Sequence, residues 1–310
     1  MSEPSTAPLP AWHSPHGRAL PAPGGRTLIM GILNVTPDSF SDGNQLSTTG
    51  AVVERAARMI AEGADVLDIG GESTRPGAVS VPVEEELARV LPAVAAVRAA
   101  FPAIPLSIDT SKAEVATAAI RAGADIVNDV WGFTHGLEAG ARARGLAVLR
   151  QGGDPALAPT PMAAAVAALR CPAILMHNRT DRAYGDFWAD LRLDLRLSLA
   201  LAAAAGVPRA QIWLDPGFGF AKDVPQNLAV LRDLGRIVAL GCPVLLGTSR
   251  KSTIGAVLNA AVDDRRDGTG ATLVWGIQQG CAMVRVHDVA AMRRYVRMAD
   301  AIRQGLEFRS

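Results

Sequence analysis

The chain has 310 residues, 49% of them hydrophobic and 20% charged, with 31 Lys and Arg against 30 Asp and Glu for a formal net charge of +1. That length and apolar content supply one sizeable core, and the balanced charge leaves no broad positive field for nucleic acid or an anionic membrane surface. No run of about 18 apolar residues is present to span a bilayer, and low net charge with high apolar content disfavours disorder for the bulk of the chain.

Residues 1–25 contain six prolines among Ser, Ala and Gly and no apolar period. They are expected to form a flexible or loosely packed leader, with His13 and His16 solvated, and they lack the charged-then-apolar order of a signal peptide. Residues 26–310 are expected to form one domain. Short apolar runs recur there: Thr27–Val35, Asp65–Gly70, Ile104–Asp109, Asp125–Val130, Ala173–His177, Gln211–Asp215, Pro243–Gly247 and Ala282–His287. Each is too short for a helix, and most are rich in Val, Ile and Leu, as strands buried on both faces require. Between them lie alanine-rich amphipathic stretches such as Ala51–Glu62, Glu84–Ala100 and Ala113–Ala122, the first and last followed by the helix-stopping Gly63 and Gly123. Eight strands alternating with helices predict an α/β fold of the (β/α)8 barrel type. A doubly wound open sheet competes less well, because no G-x-G-x-x-G follows the first strand. One interval breaks the rhythm: Gly145–Arg170 carries extra sequence, expected as an elaboration outside the barrel with a short strand at Leu146–Arg150 and a helix at Met162–Leu169.

Cys171, Cys242 and Cys281 are widely spaced and lie beside apolar residues or proline. That fits small core residues in a reducing cytoplasm, and neither a disulfide framework nor metal-ligand spacing. The only lysines are Lys112, Lys222 and Lys251, so nearly all positive charge comes from Arg.

A parallel barrel gathers its chemistry where the strands end. The ends here read Asn34 to Phe40, Asp68 to Gly77, Ser107 to Thr110, Asn128-Asp129, Met176 to Arg179, Asp215 to Phe220, Ser249 to Ser252 and Arg285 to Asp288. Every one is polar or ionisable. Arg285 and His287, two apart on the last strand, share a face and suit a phosphate group at a strand-eight site, with a structural salt bridge to Asp288 or a neighbour as the simpler alternative. Lys251 and its neighbour Arg250 offer further cations for an anion or carbonyl oxygen. Asp109, Asn128 and Asp215 suit a flat heterocycle bearing several N–H groups; a metal cluster is the weaker alternative, since only His177 lies nearby, without diagnostic spacing. Asn34 offers a hard oxygen to Mg²⁺ beside a phosphate region. The long loops after strands one and two have the composition of lids that close over a second substrate.

The segments IMGILNVTPDSFSDG (29–43), DIGGESTRPGA (68–78), SIDT (107–110), VND (127–129), MHNR (176–179), DPGFGFAK (215–222), GTSRKSTIG (247–255) and RVHDV (285–289) occur in one order. Together they resemble the dihydropteroate synthases of folate biosynthesis, a pterin-binding barrel family. The resemblance implies condensation of 4-aminobenzoate with 6-hydroxymethyl-7,8-dihydropterin diphosphate to give 7,8-dihydropteroate and pyrophosphate, by a dissociative substitution with Mg²⁺. It also implies a cytoplasmic homodimer open to sulfonamides. Carried over, Asp109, Asn128, Asp215 and Lys251 hold the pterin, with Met176 packed on its ring. Asn34, Arg75, Arg285 and His287 bind the diphosphate, and Asn34 also meets Mg²⁺. Thr74, Pro76, Phe220, Lys251 and Ser252 shape the aminobenzoate site, and Asp109, Lys251 and Arg285 carry the catalysis. Two features depart from the pattern: Gly145–Arg170 is longer than the usual link, and MHNR replaces the MHM-type sequence of some members. A pterin-dependent methyltransferase and a non-catalytic pterin-binding paralogue are the alternatives. The SRK and RVHD segments argue against the first, and the intact set of Asn34, Arg75, Lys251, Arg285 and His287 against the second.

Overall fold

The eight apolar runs are eight strands: β1 (Leu28–Asn34), β2 (Val66–Gly70), β3 (Leu106–Asp109), β4 (Ile126–Asp129), β5 (Ala173–Met176), β6 (Ile212–Asp215), β7 (Leu245–Leu246) and β8 (Met283–Val286). The computed structural model describes residues 12–35, 45–72 and 80–305. The strands are parallel in the order β6-β5-β4-β3-β2-β1-β8-β7, and a bridge between Leu214 and Val244 brings β6 against β7. The described helices are α1 (Gln45–Glu62), α2 (Val83–Ala100), α3 (Ala113–Arg121), α4 (Ala139–Arg150), α5 (Pro161–Leu169), α6 (Phe187–Ala204), α7 (Val224–Arg232), α8 (Gly235–Val238), α9 (Ser252–Leu258), α10 (Arg266–Gln278) and α11 (Val289–Gln304). This is the expected (β/α)8 barrel.

Alternation along each strand sorts residues between two cores. Ile29, Leu33, Leu67, Ile69, Ile108, Val127, Leu175, Leu214 and Val284 face outward and pack against the helices. Leu28, Met30, Val66, Ile126, Ile174, Trp213, Leu245 and Met283 form a second cluster inside the barrel. These lie at or near the strand beginnings, so the interior is apolar at its floor. Two residues further along the same inward face the side chains become Asp68, Asn128, Met176, Asp215 and Arg285. The chemistry begins where the apolar filling stops.

The leader differs from expectation in its second half; residues 1–11 lie outside the described residues. Trp12 is 2% exposed and joins the floor cluster, its ring centroid 4.6 Å from that of Trp213 and its Nε1–H donating to the Pro21 carbonyl. Ser14 Oγ donates to Asp125, and Arg18 Nε bonds the same carboxylate at 2.8 Å. His16, read as merely solvated, places Nε2 at 2.9 Å from Ile120 O and 3.0 Å from Ala124 O. Proline stiffness and one large apolar side chain make this segment a plug for the barrel floor. Trp12→Ala is expected to lower the unfolding free energy by about 3 kcal/mol and to leave pterin affinity unchanged. Denaturant unfolding with calorimetry checks both; wild-type stability would sink the plug assignment.

The link between β4 and β5 also needs correcting. Leu146–Arg150 is the last part of helix α4, not a strand. Its apolar run Leu-Ala-Val-Leu belongs to a helical face, where Leu146 and Leu149 pack with Leu193 and Leu197 of α6. The expected helix is present as α5, with Pro161 opening it and Arg170 closing it in a left-handed conformation. Since α5 packs beside α3, it fills the regular outer position between β4 and β5, and α4 is the elaboration.

Candidate functional site

Strand register builds the site. Asn34 pairs with Gly70, Gly70 with Asp109, and Asp109 with Asn128, so four neighbouring strands present one row. Met176 pairs with Asp215 across β5 and β6. A Cβ added to Gly70 would lie 3.6 Å from Asn34 Oδ1 and 3.8 Å from Asp109 Oδ2; one on Gly247 would lie 3.8 Å from both Arg285 Cβ and Asp215 Oδ2. Gly70 and Gly247 therefore leave open the space between the polar side chains on either side of them.

Arg285 reaches across the barrel mouth. Its Nε donates to Asp68 Oδ2 at 2.5 Å and its Nη2 to Asp109 Oδ2 at 2.6 Å. Asn128 Nδ2 donates to the same Asp68 oxygen at 3.1 Å. Asp68 Oδ1, Asp109 Oδ1 and Ser107 Oγ are buried with no hydrogen-bond partner among the described residues. Asp109 is 4% exposed, and burial pushes its carboxyl up to about 7, the Arg285 charge pulling down and Asp68 pushing further up. Burial raises Asp215 too, opposed by Lys251 and by the Gly217 N–H, which donates to Asp215 Oδ1 at 2.7 Å. Opposing its own burial, Asp68 and Asp109 hold the Arg285 guanidinium firmly protonated.

The second part of the site lies beside Asp215. Lys251 Nζ donates to the Phe218 carbonyl and stands 4.5 Å from the centroid of the Phe220 ring. Burial pushes this ammonium down to about 8, with the Asp215 charge opposing. Ser252, exposed, is the first residue of α9. His287 Nδ1 sits 2.9 Å from Ser249 Oγ; burial and then Arg285 push this imidazole down to about 3, so it is neutral. Arg250 is committed to Asp288, with Nε at 2.8 Å from Oδ2, which leaves Arg285 free of the Asp288 pairing considered from sequence. Asp129 accepts the Trp131 and Phe133 N–H groups and shapes a turn.

Asp109, Asn128, Asp215, Met176, Arg285, Lys251, Phe220 and Asn34 thus converge at one barrel mouth, with His287 and Ser252 at its rim. Thr74, Arg75 and Pro76 lie outside the described residues, as do the two loops expected to act as lids. Asp68 is the residue the sequence left without a role. Its spacing of two from Gly70 places it on the inner face, and that was the available signal. Among the described residues no group of three or more His, Cys, Asp or Glu could hold a metal ion.

A parallel barrel whose C-terminal mouth combines buried carboxylates, an amide and cations defines a ligand-binding barrel enzyme. The sequence pattern of the pterin binding enzymes matches residues 30–287. The dihydropteroate synthase of Bacillus subtilis strain 168 is 46% identical over 277 residues, 89% of each chain. A dihydropteroate synthase of Clostridium difficile, solved in the presence of pteroic acid, superposes with a TM-score of 0.80 at 42% identity, covering 90% of this chain and 98% of that one. The Xanthomonas albilineans enzyme with 4-aminobenzoic acid gives 0.78 at 42% identity, covering 91% and 95%. The chain belongs to the pterin binding enzyme family and, within it, to the dihydropteroate synthases, which makes it a transferase.

Proposed function

We propose that the chain condenses 4-aminobenzoate with 6-hydroxymethyl-7,8-dihydropterin diphosphate to give 7,8-dihydropteroate and pyrophosphate. The observation that carries this is the Asp109 carboxylate: one oxygen on Arg285, the other buried and without a partner among the described residues, at the centre of a row of hydrogen-bonding groups. A pterin presents adjacent N–H donors and a carbonyl to such a row. Asp109 and Asp215 accept from the donors, Asn128 bonds the heterocycle edge, Lys251 donates to its oxygen, and Met176 packs on its face. The guanidinium of Arg285, with Asn34, Arg75 and His287, faces the diphosphate. Phe220, Ser252, Thr74 and Pro76 border the arylamine.

The substitution is dissociative. The bond from the exocyclic methylene to the diphosphate oxygen breaks first, its electron pair leaving with pyrophosphate. The buried carboxylates of Asp109 and Asp215 stabilise the cation that forms, and Arg285 stabilises the departing anion. The arylamine nitrogen then bonds the methylene carbon and loses a proton. Mg²⁺ fits this site only as a companion of the diphosphate: Asn34 offers one neutral oxygen, and no carboxylate cluster of the described residues surrounds it. Bound there, it supplies charge neutralisation for the leaving group.

Mixing the protein with pterin diphosphate, Mg²⁺ and 4-aminobenzoate should release pyrophosphate, and sulfonamides should compete with the aminobenzoate. Tight pterin binding without release would overturn the synthase function in favour of a non-catalytic binder. A homodimer is the further expectation. Leu228, Val257, Leu258, Trp275, Met298 and Ile302 are exposed apolar residues on α7, α9, α10 and α11, elements that adjoin one another. Light scattering should give twice the 32.3 kDa chain mass, and Trp275→Glu should return it to one.

A further inference from the structure

The connection from β6 to α7 is a contorted stretch beside the site, and two of the groups that hold it, Lys222 and Tyr184, have no part in the proposed reaction. Gly217, Gly219 and Ala221 all adopt positive φ, at 65°, 83° and 46°. A Cβ on Gly217 would fall 1.9 Å from the His177 carbonyl oxygen, so only glycine fits there. A backbone path of this kind persists only where its surroundings fix it.

Lys222 does much of the fixing. Its ammonium is 4% exposed and donates to Gly217 O and Phe220 O, both at 3.0 Å, and to His177 Nδ1 at 2.9 Å. Burial pushes this ammonium down to about 7, with the Asp215 charge opposing, and in the charged form all three of its protons are used. Tyr184 Oη donates to Ala221 O at 3.0 Å, and Lys251 holds Phe218 O. Four carbonyls of the loop are each taken by a side-chain donor.

The support continues outward. With Nδ1 accepting from Lys222, the His177 ring carries its proton on Nε2 and donates it to Asp194 Oδ2 at 3.3 Å. Burial, then the Lys222 charge, push this imidazole down to about 3, so it stays neutral. Asp194, on α6, also accepts Arg179 Nε and Arg142 Nη2, both at 2.6 Å. Arg142 belongs to α4, the helix in the long β4–β5 link, and its side chain is 29% exposed.

We infer that Lys222 is a positioning residue for the arylamine half of the site, and that the chain Arg142–Asp194–His177–Lys222 makes the inserted helix α4 part of that support. Lys222 acts through others. The Phe220 ring and the Phe218 carbonyl, both directed at Lys251, ride on the stapled loop. Asp68, Asp109 and Asn128 stand on β2, β3 and β4, which this chain of bonds does not include. The inference rests on the arylamine role proposed for Phe220.

The test uses the full-length protein with Lys222→Met, which keeps reach but removes every donor, and Arg142→Met, a milder change that remains informative if the first variant fails to fold. Lys222→Met is expected to raise the KM for 4-aminobenzoate about tenfold or more and to lower kcat, with the Kd of free pterin within about twofold of wild type. Arg142→Met should raise the same KM about two- to fivefold with pterin affinity unchanged. Equal losses in pterin affinity and arylamine KM would overturn the positioning role, as would wild-type constants in Lys222→Met. Wild-type constants in Arg142→Met would overturn the part given to α4. If the wild-type protein itself released no pyrophosphate, the proposed reaction would fail separately, and the Kd values of a sulfonamide and of pterin would still decide the inference without turnover.

Discussion

Replacing Arg285 with alanine is expected to abolish measurable turnover, to weaken pterin diphosphate at least about a hundredfold more than free pterin, and to lower stability by about 3–5 kcal/mol. All three follow from one side chain with two duties. Its guanidinium bridges Asp68 and Asp109, both buried, so truncation strands two carboxylates away from water, the costly way to break a buried pair. Beyond the carboxylates, the proposed reaction sets this partly buried cation against the leaving group. Arg285→Lys should recover little, because a point charge does not span both carboxylates as a planar fork does. Calorimetry with the two ligands, alongside denaturant unfolding, separates the duties. Equal weakening of pterin and its diphosphate would refute the anion role.

Asp109→Asn should cost about a hundred- to a thousandfold in kcat/KM, the loss of charge-assisted hydrogen bonds worth about 3–4 kcal/mol, and should also change the pH profile. In the free protein burial lifts this carboxyl to about 7. In the proposed complex the ionised form accepts the pterin N–H groups, whereas the protonated form would present a donor instead. Pterin affinity in the wild-type protein is therefore expected to fall about tenfold per unit below pH 7 and to hold from there until Lys251 loses its proton at about 8. Asparagine does not titrate, so its weak binding should be flat between about pH 5.5 and 7.5. Titrating pterin into both proteins over that range is the measurement. A wild-type profile without a break near neutrality would show that Asp109 stays ionised and that Arg285 outweighs burial.

Much of this architecture was legible before any coordinates. Eight Val, Ile and Leu runs with polar residues at their ends define the strand count and the functional mouth, because a parallel sheet buried on both faces leaves an unmistakable composition. Asp109, Asn128, Asp215 and Arg285 stood at those ends and meet in space. The rest escaped for physical reasons. Leu146–Arg150 has the composition of a strand, and only packing against Leu193 and Leu197 decides for helix. Trp12 sits in a proline-rich segment with no period, and its burial depends on Trp213, some two hundred positions away in the chain. Asp68 looked like one more polar tip until Arg285 and Asn128 were seen to share its oxygen. Lys222 is notable in the sequence as a scarce residue type closing the DPGFGFAK segment, but two of its acceptors come from a loop conformation that no periodicity encodes and the third is His177, 45 positions away.

The plugged floor has a practical consequence. Thr27, at the entrance to β1, is bonded through its N–H and hydroxyl to Asp300 of α11, and Gln304 Nε2 donates to Gly25 O at 2.7 Å. The first strand and the last helix therefore meet on the side opposite the barrel mouth. A surface tether or fused cargo attached ahead of Trp12 would leave substrate access clear, whereas trimming that end back to the first strand would strip the cover from Trp213 and bare an apolar face to water.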